Sequence, residues 1–272
     1  MSPGAAALLG VVQGLTEFLS VSSSAHLIVA RDLFGVHMNA QLDLAFDVAC
    51  HVGTLLAVVV YFWSELIGML RGLPQVFRRD ATVAGRRVRF VALGTVPIVI
   101  VGALGGAALE DTFRTPAVAA TTLALGAGLM FIAERARSLV RTEGEMTPRD
   151  AVVIGAAQAL ALVPGVSRSG ITMTSGMLLG FQRAEVARFT FLLSVPAILA
   201  AAAKHALELR GATLTSSEMQ AFGIGMLSSA VVGYLAIRFF IRFVGTRRLD
   251  VFAWYRLALA AVLVVVLMSR QP

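Results

Sequence analysis

Two long apolar stretches of this chain are broken halfway by short polar runs, and those breaks restrict the fold more than any other feature. Residues 4–34 would make a helix of about 46 Å, too long for one straight crossing of a hydrocarbon core about 30 Å thick. The run Ser20-Val21-Ser22-Ser23-Ser24 interrupts them. The pieces on either side, about 24 Å and 17 Å long, are too short to cross. A helix–break–helix hairpin that enters and leaves on one face is the expected form. Residues 151–180 repeat the pattern, with their break at Pro164-Gly165-Val166-Ser167. Segments 44–66, 89–109, 116–133, 185–203, 219–240 and 251–268 are long and apolar enough to span, or nearly so.

Composition agrees with this setting. The chain is 57% hydrophobic and only 14% charged, against about 25% charged residues in a soluble domain. So few charges cannot cover a globular surface, which excludes a soluble enzyme, and the apolar content excludes disorder. A formal charge of +7 suggests nucleic acid until the charges are located. Arginines cluster between the apolar segments, as they do in cytoplasmic loops of membrane proteins, so no nucleic-acid partner is expected. The single Cys50 allows no intrachain disulfide. No Lys or Arg precedes Arg31, so the N-terminal stretch lacks the basic region of a cleaved signal and is expected in the mature protein.

The two broken stretches are related. Gly10, Gln13, Leu15, Val21, Ser22 and Ser24 recur 145 positions later as Gly155, Gln158, Leu160, Val166, Ser167 and Ser169. Val52, Leu56 and Ala57 match Val195, Leu199 and Ala200 at an offset of 143, and Gly94 and Gly102 match Gly225 and Gly233 at 131. Three sets in one order point to an internal duplication. The expectation is one all-α polytopic membrane domain over residues 1–272, with repeats 1–140 and 151–270. Each half is a re-entrant helix hairpin plus three transmembrane helices. Three spans are an odd number, so the second half enters from the opposite side and the repeat is inverted.

Basic loops fix the orientation. Arg71, Arg78, Arg79, Arg86, Arg87 and Arg89 mark one loop as cytoplasmic, Arg135, Arg137, Arg141 and Arg149 a second, and Arg242, Arg247 and Arg248 a third. The intervening loops carry Glu110, Asp111 and Arg114, or Lys204, Glu208, Arg210 and Glu218. Both termini are then external. The hairpins dip from opposite faces and their tips should meet near mid-membrane.

Those tips carry isolated charges. From Met1 to Ala30 the only charged side chain is Glu17 and the only imidazole His26, and from Ala151 to Gln182 the only charged side chain is Arg168, beside the break. An ionisable residue at mid-bilayer costs roughly 2.5–3.5 kcal/mol, so its default reading is functional, with a partner inside the protein. A bare Glu17–Arg168 ion pair would leave the surrounding polar density unexplained. Gln13 and Glu17, four apart, share a helical face. Ser22 is a candidate N-cap with Ser23, Ser24 and His26 just after it, and Ser167 takes that place before Arg168, Ser169 and Thr172. Two half-helix N-termini, an Arg and several hydroxyls suit a phosphate group. Glu17 would repel phosphate, so it fits as a ligand for a divalent cation or as a base for a nucleophile. Together these residues are a phosphoryl-transfer set, with Arg168 neutralising charge on phosphate oxygens.

Weaker signals surround them. Asp47 and His51 share a face near the outer end of the first full span and could assist binding or line a polar entrance. Asp43 is expected at the interface, and Arg183, Glu185 and Arg188 are expected to snorkel at the cytoplasmic surface. Trp63, Trp254 and Tyr255 read as interfacial anchors. No zinc spacing, Walker loop or dinucleotide fingerprint occurs.

The run Gln13-Gly-Leu-Thr-Glu17-Phe-Leu-Ser-Val-Ser22-Ser23-Ser24-Ala-His26 resembles the first motif of the bacterial undecaprenyl-pyrophosphate phosphatases, the bacitracin-resistance family. In that family a Glu or Gln stands four residues before an essential Glu. Pro164-Gly165-Val166-Ser167-Arg168-Ser169-Gly170 resembles the second motif, and Phe46-Asp-Val, Gly53-Thr54-Leu55 and Tyr255-Arg256 extend the likeness over nearly the whole chain. Ser20 and Ala25 stand where the family pattern has Pro and Gly. The resemblance implies hydrolysis of undecaprenyl diphosphate to the monophosphate at the outer face of the bacterial plasma membrane. It also implies recycling of the lipid carrier for peptidoglycan synthesis, dependence on Mg2+ or Ca2+, and bacitracin resistance. Glu17, Ser23, His26 and Arg168 are the catalytic candidates by motif match. Gln13 supports Glu17 or the metal, so these two are the candidate metal ligands. Gln13, Ser22, Ser24, Ser167, Ser169 and Thr172 are the candidates for binding the head group.

The nucleophile stays open between Ser23, His26 and an activated water. Inverted repeats with broken helices also describe secondary transporters. An anion carrier would need the binding groups but no nucleophile, and a phosphatase that also flips lipid is compatible with the same scaffold. Small-residue faces at Gly102, Gly105, Gly106, Gly126 and Gly128 permit tight packing within one chain or in a homodimer.

Overall fold

The structure is a computed structural model that describes residues 1–78, 81–113, 115–136, 138–208 and 214–269. Of the charges used to orient the chain, Arg79, Arg114, Arg137 and Arg210 lie outside these residues, as do the side chains of Glu110, Asp111 and Glu208. The described residues form helices and connecting turns, with no named strand among them. In order these are α1 (Pro3–Phe18), α2 (Ser23–Phe34), α3 (Ala40–Tyr61), α4 (Trp63–Gly72), α5 (Val83–Phe113), α6 (Pro116–Ala136), α7 (Pro148–Ala159), α8 (Arg168–Leu178), α9 (Arg183–Glu208), α10 (Ser216–Val244) and α11 (Asp250–Ser269). The helices α3, α5, α6, α9, α10 and α11 are long and apolar enough to cross a membrane. Their outer faces expose Val60, Leu104, Leu125 and Val265, as lipid-facing surfaces do. This is an all-α polytopic membrane protein.

Local sequence sets the helix starts. Ser2 accepts the Ala5 amide ahead of Pro3, a residue suited to a first helical turn. Thr147 with Asp150, and Thr215 with Glu218, form reciprocal capping boxes. Arg141 grips the first of these carboxylates from the preceding loop, its Nη2 donating at 2.7 Å to Asp150. Burial pushes the Asp150 carboxyl up, but the Arg141 guanidinium and the Thr147 donors outweigh it and hold the group below its ordinary value.

The breaks fall where expected, at 19–22 between α1 and α2 and at 160–167 between α7 and α8. First arms of the two hairpins pack against spans of the opposite half, α1 on α10 and α7 on α5. Glycines allow that closeness. A Cβ on Gly10 would lie 2.5 Å from the Gly225 carbonyl oxygen, and one on Gly155 2.2 Å from that of Gly94. These are the same contact twice, because Gly155 repeats Gly10 and Gly225 repeats Gly94. Between the halves runs an aromatic core in which Phe191 touches Phe18, Phe62 and Phe240, with ring centroids 5.2–6.1 Å apart. Burying such rings is worth roughly 1.5–3 kcal/mol each.

One expectation needs correction, and two gain partners that the sequence did not show. The span drawn at 44–66 is α3, ending at Tyr61, followed after Phe62 by the separate helix α4 packed on α5. Hydropathy runs through both because α4 is itself amphipathic. Arg183, Glu185 and Arg188 do not simply snorkel. Arg183 makes a bidentate pair with the buried Glu134, Arg188 pairs with Glu65, and Glu185 accepts the Glu143 amide. Asp43, expected at the interface, is paired. Its Oδ1 lies 2.8 Å from Nη1 of the buried Arg31, and Asp47 takes the other Nη at 2.5 Å, which ties the end of α2 to the start of α3.

Candidate active site

Both breaks turn through left-handed backbone at the same repeat positions. Ser20 and Ser22 have φ of 61° and 73°, and Gly165 and Ser167 have φ of 88° and 69°. Each pair is related by the 145-residue offset. Left-handed φ costs a non-glycine residue about 1–2 kcal/mol, so surrounding contacts must hold the serines there.

The turns bring four helices onto one carboxylate. Glu17 ends α1 and is 8% exposed. Its Oε1 accepts Arg168 Nη2 at 2.6 Å from the start of α8. Its Oε2 accepts Ser23 Oγ at 2.6 Å from the start of α2 and Gln13 Nε2 at 3.0 Å from one turn back along α1. His51 Nε2, on α3, stands 3.4 Å from the same oxygen. Ser169 Oγ donates to the Glu17 carbonyl at 2.9 Å and locks α8 against the end of α1. Charge-assisted bonds of this kind are about twice as strong as neutral ones, so the carboxylate fixes the relative placement of both hairpin tips.

The remaining sequence candidates divide. Ser24 Oγ lies 3.2 Å from Ser22 Oγ and accepts the Gly165 amide at 3.4 Å, which ties the two breaks to each other. Ser167 caps α8 through the Gly170 amide at 3.2 Å, as its position predicts. Ser22 occupies the matching place on α2 without a side-chain cap bond. Its carbonyl instead accepts both the His26 amide and His26 Nδ1. Thr172 is fully buried and its hydroxyl donates at 2.7 Å to the Arg168 carbonyl of its own helix. That hydroxyl is already spent on backbone. His26 does not bond to Glu17 or Ser23. Nδ1 lies 2.7 Å from the Ser22 carbonyl and Nε2 2.9 Å from the Tyr255 hydroxyl, with the two rings stacked. Tyr255, read from its position near a span end as an interfacial anchor, also forms a wall of the site.

His51 and Arg256 are the residues that sequence reasoning undervalued. His51 had one usable signal, its place four residues after Asp47, and it is the Asp47 carbonyl that orients the ring by accepting Nδ1–H at 2.8 Å. Arg256 is 1% exposed and donates to backbone carbonyls of both breaks. A lone Arg inside the most apolar span was the cue for it.

The bacitracin resistance protein family, BacA, has a model that matches residues 6–262. The undecaprenyl-diphosphatase of Rubrobacter xylanophilus is 44% identical over 97% of each chain. That of Hahella chejuensis is 44% identical over 95% of this chain and 96% of its own. The undecaprenyl-diphosphatase 2 of Stutzerimonas stutzeri is 43% identical with the same coverage. The chain belongs to the BacA family.

A cation in this BacA site must find oxygen ligands. A carboxylate only accepts, so the Gln13–Glu17 bond has to come from the amide NH2, and it leaves Gln13 Oε1 buried beside Glu17 with no partner among the described residues. No cluster of three His, Cys, Asp or Glu side chains suited to a metal occurs among the described residues. One carboxylate and one amide oxygen fit a hard cation that also binds substrate phosphate, as Mg2+ characteristically does. They do not make a closed cage.

Proposed function

We propose that this protein is an undecaprenyl-diphosphate phosphatase that releases orthophosphate and returns the monophosphate lipid carrier to cell-wall synthesis, with bacitracin resistance as a consequence. The names of its relatives and its family support the activity. The observation that carries the reading is the Glu17 carboxylate, which holds Ser23 on one oxygen and Arg168 on the other at 2.6 Å each.

That geometry gives Ser23 a base and Arg168 a place beside the phosphate. As Ser23 Oγ forms a bond to the terminal phosphorus, the bond from that phosphorus to the bridging oxygen breaks. The serine proton passes to Glu17, and undecaprenyl phosphate leaves. Water then attacks the phosphoserine, Glu17 returns its proton to Ser23 Oγ, and orthophosphate is released. Arg168 keeps further N–H donors for the equatorial oxygens, where such contacts are worth several kcal/mol. His26, held by Ser22 and Tyr255, serves as pocket wall in this scheme and not as nucleophile. Mg2+ or Ca2+ held by Glu17 and Gln13 Oε1 would neutralise diphosphate charge.

The repeated glycine contacts and the repeated left-handed turns support two related halves, and the basic loops, read as cytoplasmic, support inverted halves with both termini external and the site open to the outer face. Gly102, Gly105 and Gly128 have open space around them, which suits close approach of a second copy.

Purified protein should release phosphate from undecaprenyl diphosphate, and a rapid acid quench should trap phosphate on Ser23. No release by the wild type would overturn the phosphatase reading and favour transport. Phosphate trapped on His26, or solvent oxygen entering without any phosphoenzyme, would overturn Ser23 as nucleophile.

A further inference from the structure

Arg256 sits on α11, outside both hairpins, and no carboxylate pairs with it among the described residues. Its guanidinium is surrounded by carbonyl oxygens. Nε donates to Leu123 at 3.2 Å and Nη2 to Thr122 at 3.2 Å, both on α6. Nη1 donates to Ser20 at 3.2 Å, and Nη2 also to Gly165 at 3.2 Å and Val166 at 3.1 Å. Burying a guanidinium is costly unless its hydrogen bonds are met. Joining α6 to α11 would need only the first two.

The other three belong to the breaks, and Ser20 and Gly165 are the residues that the 145-residue repeat makes equivalent. Both are left-handed, with φ of 61° and 88°. Every peptide bond described is trans, so a carbonyl drawn towards Arg256 turns the next N–H away from it. The amides so turned include those of Val21 and Ser167, which directly precede Ser22-Ser23 and Arg168. A strained turn persists only where its surroundings over-determine it, and one rigid five-donor fork does that for both turns at once.

We propose that Arg256 is the positioning residue of the phosphate pocket. It holds the two breaks in the one arrangement that puts Ser23 and Arg168 on the same carboxylate and aims their flanking amides at the anion. The proposal rests on the phosphatase reading and adds to it a residue that never touches the substrate.

Two variants test it. R256K keeps the charge but replaces the planar fork by a single ammonium. G126A keeps Arg256 but places a methyl 2.0 Å from its Nη2, which displaces the guanidinium. Each is assayed for kcat and KM on undecaprenyl diphosphate, for inhibition by orthophosphate, and for the thermal stabilisation that orthophosphate gives the purified protein. In both variants kcat should fall about 10- to 100-fold, the scale expected when reacting groups are misplaced by about an ångström. Phosphate inhibition and phosphate-dependent stabilisation should weaken several-fold in parallel. Lower melting temperature with kcat and phosphate response of the folded protein within about twofold of wild type would reduce Arg256 to a structural strut and overturn the proposal. If the wild type is inactive yet phosphate stabilises it, and the variants lose that stabilisation, the phosphatase reading fails while the positioning role stands.

Discussion

Replacing Glu17 by Gln removes one charge and almost no volume, so its effect isolates what the carboxylate does. Glu17 Oε1 serves Arg168, and Oε2 serves Ser23 and Gln13. A carboxamide has one acceptor oxygen, so its NH2 must face either the guanidinium or the Ser23 and Gln13 donors. At least one charge-assisted bond is lost, worth about 1.5–3 kcal/mol. Loss of the base costs about 10²–10⁴ in rate, or about 2.7–5.4 kcal/mol at 1.36 kcal/mol per tenfold. Glu17→Gln should therefore lower kcat for phosphate release by at least about 100-fold. Ser23→Ala should fall at least as far. If Ser23 acts through Glu17, the double variant should be no slower than the slower single one, because groups that work as a unit are not additive. Initial rates in detergent, with circular dichroism to show intact helices, give the comparison. Multiplying losses in the double variant, or more than about a tenth of wild-type kcat in Glu17→Gln, would refute the Ser23–Glu17 pairing.

Four other substitutions follow from the contacts of the two hairpins. His51→Ala removes the ring that stands 3.4 Å from Glu17 Oε2; a rate loss of about tenfold with little change in KM is expected in steady-state assays. Gly165→Ala adds a Cβ that would lie 2.1 Å from Thr122 Oγ1 at a φ of 88°; thermal unfolding should show a loss of at least about 1–3 kcal/mol. Gln158 is fully buried with neither amide atom partnered among the described residues, so Gln158→Leu should keep activity and raise the melting temperature. Gln13→Leu, at the repeat-equivalent site that bonds Glu17, should lose activity instead.

How much of this was legible depended on whether a feature is local. The serine run and the Pro-Gly pair cannot continue a helix, and fragments shorter than the hydrocarbon core cannot cross it. Both hairpins were therefore readable, and so was the meeting of Glu17 with Arg168, since lone opposite charges in lipid must find each other. Contacts between distant elements were not readable. Nothing in the run around His26 says that its Nε2 is taken by Tyr255, 229 residues away. The position of His51 on α3 gives its face but not its depth against α1. Serines after a break read alike as ligands, yet Ser23 bonds Glu17, Ser24 bonds the other hairpin, and Ser22 contributes its carbonyl. Those differences come from left-handed turns at Ser20 and Ser22, where propensity favours no such conformation.

Under the proposed duplication, the site would also explain why such a chain ends with one centre rather than two. Ser23 and Arg168 are 145 residues apart and each opens the second arm of its hairpin, so the proposed repeat makes them equivalent positions. One carries a hydroxyl and the other a guanidinium, and the two occupy opposite oxygens of Glu17. The position equivalent to Glu17 is Leu162, and that equivalent to His26 is Ile171. Two copies of the acid would have placed like charges together in a medium that screens them poorly. One acid, one nucleophile and one cation satisfy each other there. If the halves are duplicates, their divergence is thus what electrostatics demands once both tips meet at a single point.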